Sequence, residues 1–141
     1  MNVKKPHFIV IDDSKLDCFV AERLIQNTGR CASVTTFYNG IEALEYIDNN
    51  PFLNNGLKTI ILLDIQMPLM DGHQFIEAFE KLPIKVQNNY IIYMISSSTN
   101  ENDLNRISNY HSVTAFFNKP VTTTLLLSFI IDVLEKPIKI D

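Results

Sequence analysis

Thr59-Ile60-Ile61-Leu62-Leu63 is an apolar run that stops on a carboxylate, Asp64, and passes into Ile65-Gln66-Met67-Pro68-Leu69-Met70-Asp71-Gly72. A strand without a polar face has to be covered on both sides, which is the situation of a parallel sheet between helix layers. Open sheets of that class place their chemistry outside the carboxyl ends of the strands. Asp64 stands at such an end.

Three further runs end in the same way. His7-Phe8-Ile9-Val10-Ile11 stops at Asp12-Asp13, the run from Tyr90 to Ile95 stops at Ser96, and Ala115-Phe116-Phe117 leads to Asn118-Lys119-Pro120. Helical spacing fills the intervals. Leu16, Phe19, Val20 and Leu24 mark a helix over 14–27, with Gly29 as its stop. The remaining helices are expected over 40–49, 72–81, 101–110 and 122–136, with Pro137 ending the last. Strands are expected at 7–11, 32–37, 59–63, 90–95 and 115–118. Segments 51–58 and 82–89, rich in Asn with Pro or Gly, read as loops. This βα alternation predicts an open three-layer α/β/α sandwich with right-handed crossovers.

The chain has 141 residues, enough for one domain. Its net charge of −4 and the absence of any basic run longer than Lys4-Lys5 argue against nucleic-acid binding. No apolar stretch approaches the roughly 18 residues of a membrane span, and the start lacks signal-peptide anatomy. A cytoplasmic location is expected. Cys18 and Cys31 form no metal-spaced pair and read as small, reduced apolar residues. His7, His73 and His111 make no metal set and read as incidental.

The strand ends carry the chemical argument. Asp12 and Asp13 can cap the helix that follows. Gathered with Asp64, they instead form a group of carboxylates that repel one another and resist ionisation unless a cation is present. A hard divalent ion such as Mg²⁺ suits so few carboxylates. Asp64 is either a turn residue or a nucleophile that accepts a phosphoryl group. Lys119 is either a solvated residue or the charge that bridges Asp64 and neutralises phosphoryl oxygens. Pro120 is a candidate cis proline that would aim Lys119 into the cleft. Ser96 serves turn chemistry or donates to a phosphoryl oxygen.

Leu63-Asp64-Ile65-Gln66-Met67-Pro68-Leu69-Met70-Asp71-Gly72, with Asp12-Asp13 before it and Lys119-Pro120 after it, resembles the receiver domain of two-component response regulators. The resemblance runs from His7 to about Glu135. It implies a flavodoxin-like sheet of order 2-1-3-4-5 and a single receiver domain over 1–141 without an output domain, of the chemotaxis-regulator-like type. It makes Asp64 the phosphoacceptor. Mg²⁺ would be held by Asp13 directly, by Asp12 mainly through water, by Asp64 and by the backbone carbonyl of Gln66. Ser96 would be the switch hydroxyl, in place of the commoner threonine. Ser97 stands where a small residue is usual. Phe116 would be the switch aromatic, with Phe117 as the neighbouring choice.

The function implied is a phosphorylation-controlled binding switch. Its donor would be a histidine kinase or a histidine phosphotransfer protein, and its readout a protein target. The readout surface would comprise the helix at 101–110, the strand at 115–118 and the helix at 122–136. A relay or phosphate sink uses the same residues. The chain would be no enzyme beyond its own phosphorylation and dephosphorylation. A phosphohydrolase of the haloacid dehalogenase type needs a second Asp two positions after the first, and Gln66 occupies that position. Gln66 and Ser98 flank the expected path of attacking water, and neither is a carboxylate base, so fast built-in hydrolysis is not expected. The helix at 122–136 is apolar nearly all round, which implies deep packing or a face that meets a partner or a second copy of the chain.

Overall fold

The computed structural model of the chain describes residues 4–51, 56–98, 100–136 and 138. The first residues of the expected lead-in, the middle of the 51–58 loop, Thr99 and the helix stop at Pro137 lie outside the described residues. The elements run β1 (His7–Ile11), α1 (Lys15–Asn27), β2 (Ser33–Phe37), α2 (Gly40–Asn49), β3 (Thr59–Asp64) and α3 (Gly72–Phe79). After these come α4 (Ile84–Gln87), β4 (Tyr90–Ser96), α5 (Glu101–Ile107), β5 (Val113–Asn118) and α6 (Thr123–Glu135). The strands pair in parallel in the order β2-β1-β3-β4-β5, the flavodoxin-like order.

The expected alternation holds, with local corrections. The segment 82–89 contains a one-turn helix, α4, whose last residue Gln87 is buried. Its carboxamide donates to the carbonyls of Glu80 and Leu82. β3 and β4 each run one residue further than expected, to Asp64 and Ser96. The ladder continues because the Ile65 N–H donates to Ile95 O at 3.1 Å and the Lys119 N–H to Ser96 O at 2.8 Å. α3 and α5 stop short of the expected ends, and β5 begins earlier, at Val113.

Side chains alternate across a strand, and the core divides accordingly. Ile9, Ile11, Ile61, Leu63, Ile92 and Met94 pack beneath α2, α3 and α5. Phe8, Val10, Ile60, Leu62, Tyr93 and Ile95 pack beneath α1 and α6. In α6, Leu126, Phe129, Ile130 and Val133 are buried, and the Phe129 ring stacks on Tyr93 with centroids 3.8 Å apart. Deep packing therefore takes most of this helix's apolar surface. Ile131 and Leu134 stay outside it.

Helix starts are set by capping. Ser14, Asn39 and Thr122 accept from backbone N–H groups in the first turns of α1, α2 and α6. Asp71 and Asn100 form reciprocal capping boxes at α3 and α5. The Asp71-Gly72 pair does a second task. The Gly72 N–H donates to Ile65 O at 2.8 Å, and a Cβ on Gly72 would lie 2.8 Å from both Asp64 O and Ile65 Cα. Only glycine lets α3 begin this close to the end of β3.

Gly72→Ala is expected to push the end of β3 away from α3. The expected destabilisation is about 1–3 kcal/mol, as for other overpacked sites. Denaturant unfolding measures it, and unchanged stability would contradict the close approach.

Candidate functional site

The strand alternation that divides the core also decides which polar ends meet. Asp12 continues the Phe8-Val10 side of β1, Asp64 the Ile60-Leu62 side of β3, and Lys119 the Ala115-Phe117 side of β5. All three therefore emerge on the α1/α6 face of the sheet, at the carboxyl rim. One carboxylate oxygen from each of Asp12, Asp13 and Asp64 lies within 4.8 Å of the others. Asp12 and Asp64 are buried, whereas Asp13 faces solvent. These hard oxygen donors match the preference of Mg²⁺.

The backbone pins the group. The Asp12 N–H donates to Phe37 O at 3.0 Å, and the Ser14 N–H donates to Asp12 Oδ1 at 2.9 Å. Capping of α1 thus falls to Ser14, and Asp12 only braces that turn. The Cys18 thiol donates to Asp12 O at 3.2 Å from beneath. Burial, reinforced by the Asp12 charge, pushes that thiol up to about 12, so it stays an inert, protonated filler.

Lys119 enters the site from just beyond β5, and a cis Lys119-Pro120 bond follows it. Its Nζ lies 3.7 Å from Asp64 Oδ1, close enough for an ion pair. Its short bonds go elsewhere: it donates to Asp12 Oδ2 at 2.7 Å and to Asp17 Oδ2 at 2.8 Å. The expected approach of Lys119 to Asp64 is present as that ion pair, and the shorter bonds to Asp12 and Asp17 are additional to it. Asp17 was missed. Its signal lay in the spacing: it follows Asp13 by four residues, in the first turn of a helix that starts at the rim. Desolvation lowers the affinity of the Lys119 amine for its proton, but the bonds to Asp12 and Asp17 outweigh it and the ammonium is held above its ordinary range.

Ser96 lies on the other face, with Ile92 and Met94. It is fully buried, and its hydroxyl donates to Ser98 O at 2.6 Å while the Ser98 N–H donates back at 3.2 Å. A hydroxyl has one proton, so the nearby Gln66 Oε1, at 3.2 Å, is left a neighbour of the Ser96 oxygen. The Gln66 carboxamide N–H donates to Ser98 O at 2.8 Å. Phe116 pairs with Met94 and packs on the α2/α3/α5 face that Ser96 shares. Phe117 faces the other way, against Tyr93 and Phe129.

None of the histidines belongs to the carboxylate group, but His73 is not incidental. It is buried in α3, with Nε2 2.9 Å from Asp103 Oδ1 and Nδ1 3.2 Å from the Tyr110 hydroxyl. One imidazole thereby ties α3 to the first turn of α5 and to Tyr110 in the segment that follows it, and its hydrogen bond draws the Asp103 carboxyl below its usual range. His111 sits near Gln87 and Glu80 at the opposite rim, and His7 near Ser33.

The sequence profile described as the response regulator receiver domain matches residues 8–140. The chain belongs to that family. This receiver domain is similar to a two-component response regulator from Cytophaga hutchinsonii, with 25% identity and a TM-score of 0.83 over 95% of this chain and 100% of that one. It is also similar to a response regulator receiver protein from Dyadobacter fermentans, with 30% identity and a TM-score of 0.76 over 91% and 97%. Over 81 residues it is 30% identical to the sensor histidine kinase GacS of Pseudomonas protegens, a stretch covering 57% of this chain and 8% of that kinase. It is thus a signalling domain of two-component systems. Among the described residues no helix is long and apolar enough to cross a membrane.

Burial first, and the Asp12 charge second, push the Asp64 carboxyl from 3.8 up to about 7, against the pull of Lys119 and of the Gln66 backbone hydrogen bond. Between those two values the folded receiver domain holds a proton that the unfolded chain has released. The contribution of Asp64 to stability is therefore largest at low pH and declines as pH rises through the window from 3.8 to about 7. The metal-free wild type is expected to lose more stability across that window than Asp64→Asn does, as read by thermal unfolding. Parallel pH profiles for the two proteins would contradict it.

Proposed function

We propose that this receiver domain is a phosphorylation-controlled binding switch. Asp64 accepts a phosphoryl group from the phosphohistidine of a histidine kinase or a histidine phosphotransfer protein. What supports this is the convergence of Asp12, Asp13 and Asp64 at one rim, with the Lys119 ammonium 3.7 Å from Asp64.

Asp12, Asp13, Asp64 and the Gln66 backbone carbonyl are the residues proposed to hold Mg²⁺. Its charge would let converging carboxylates ionise together and would offset the charge of the incoming phosphoryl oxygens. An Asp64 oxygen attacks phosphorus; the new P–O bond forms as the P–N bond to the donor imidazole breaks, and the ring nitrogen keeps the electron pair. Lys119 neutralises phosphoryl charge. Ser96 exchanges its bond to Ser98 for one to a phosphoryl oxygen, and Phe116, on the same face of the sheet, follows it. The readout surface is α5, β5 and α6, where Leu104 and Ile131 stand 48% and 54% exposed. A protein target, or a second copy of the chain, docks there. A relay that hands the group onward uses the same acceptor chemistry.

Intact mass after incubation with acetyl phosphate and Mg²⁺ is the test. One phosphoryl group is expected on the wild type, and none on Asp64→Asn or when the metal is chelated. A folded wild type that gains no mass would overturn the assignment. The Gln66 carboxamide, tied to Ser98, is no general base. The phosphorylated form is accordingly expected to outlast a second, and quench-flow decay faster than that would refute it.

A further inference from the structure

We propose that Asp17 is a positioning residue for phosphoryl uptake: it keeps the Lys119 ammonium bonded to α1 and sets how readily that charge moves onto phosphorylated Asp64. The inference rests on Asp64 being the acceptor.

An ammonium has three protons to donate. Two of those on Lys119 are committed, to Asp12 Oδ2 at 2.7 Å and Asp17 Oδ2 at 2.8 Å, and Asp64 is the more distant partner at 3.7 Å. The two acceptors differ. Asp12 is buried and belongs to the carboxylate group that converges with Asp64. Asp17 lies outside that group, on the helix above it, with its side chain 46% exposed. Giving the ammonium wholly to a phosphoryl group means giving up a charge-assisted bond to Asp17. Asp17 therefore competes with the phosphoryl oxygens for one cation.

A structural explanation exists for an acid at this position. Asp17 occupies the first turn of α1, where a carboxylate suits the helix dipole. Glu42 occupies the same position relative to its cap in α2, which starts after β2 at the same rim. The dipole accounts for both acids, but the lysine bond belongs to Asp17. Glu42→Gln is thus the matched control.

Wild type, Asp17→Asn and Glu42→Gln are compared with saturating Mg²⁺ and limiting acetyl phosphate, with thermal unfolding as the check on folding. Because Asp17 is half exposed, the effect is modest: Asp17→Asn is expected to reach half-occupancy at about two- to fivefold lower donor concentration. A second measurement uses neither metal nor donor. Hydrogen exchange of the Lys119 ammonium, followed by ¹⁵N NMR, is expected to be faster in Asp17→Asn than in wild type. Glu42→Gln is expected to match the wild type in both. The inference is overturned if Asp17→Asn behaves like Glu42→Gln, or if its occupancy changes while ammonium exchange does not, which marks a general field effect. Failure of the wild type itself to take up a phosphoryl group overturns the assignment of Asp64, and this inference with it.

Discussion

The structure turns on one electrostatic constraint. Three carboxylates converge at the carboxyl rim of the sheet, two of them buried, and a single ammonium is bonded among them. Like charges at this range oppose one another's ionisation, so the arrangement persists because the backbone holds it and the Lys119 ammonium offsets part of the repulsion. That backbone is the parallel ladder: Asp12 hangs from β2 through its N–H, and Lys119 hangs from β4 through its own. The fold does not merely carry the site. The same hydrogen bonds that complete the sheet keep the repelling groups together.

Packing on the two faces divides the work. The face beneath α1 and α6 delivers the charged groups, Asp12, Asp64 and Lys119. The face beneath α2, α3 and α5 delivers Ser96 and Phe116, the latter packed against the core of that face. Period-two alternation at the strand ends therefore separates acceptor chemistry from the elements proposed to answer it. Ser96 and Gln66 meet around the Ser98 carbonyl and connect the loops after β3 and β4. Any change at Asp64 that draws the Ser96 hydroxyl has to break that junction.

Much of this was legible in the residues. Apolar runs ending on Asp12-Asp13, Asp64, Ser96 and Lys119 named the four strand ends, because these runs are too short for helices and rich in β-branched and aromatic residues. The pairing of Phe116 with Met94 places it on the face of Ser96, whereas the residues alone left Phe116 and Phe117 open by one position. Other features had no local signal. The one-turn helix α4 is shorter than any periodicity can register. The role of His73 depends on Asp103 and Tyr110, 30 and 37 positions away. The first partners of Lys119 depend on how α1 lies over the rim.

Sequence alone determined the layer order, the parallel sheet and the identity of the groups at its rim, since these follow from strand-scale hydrophobicity and from which residue ends each run. Tertiary structure alone decided which acid the lysine grips, which way the serine hydroxyl points and which helix the buried imidazole holds. The physical reason is range. Hydrophobic patterning acts within one element and can be read along the chain, whereas a hydrogen bond or ion pair depends on ångström-scale separations between elements that only the packed sheet and helices establish.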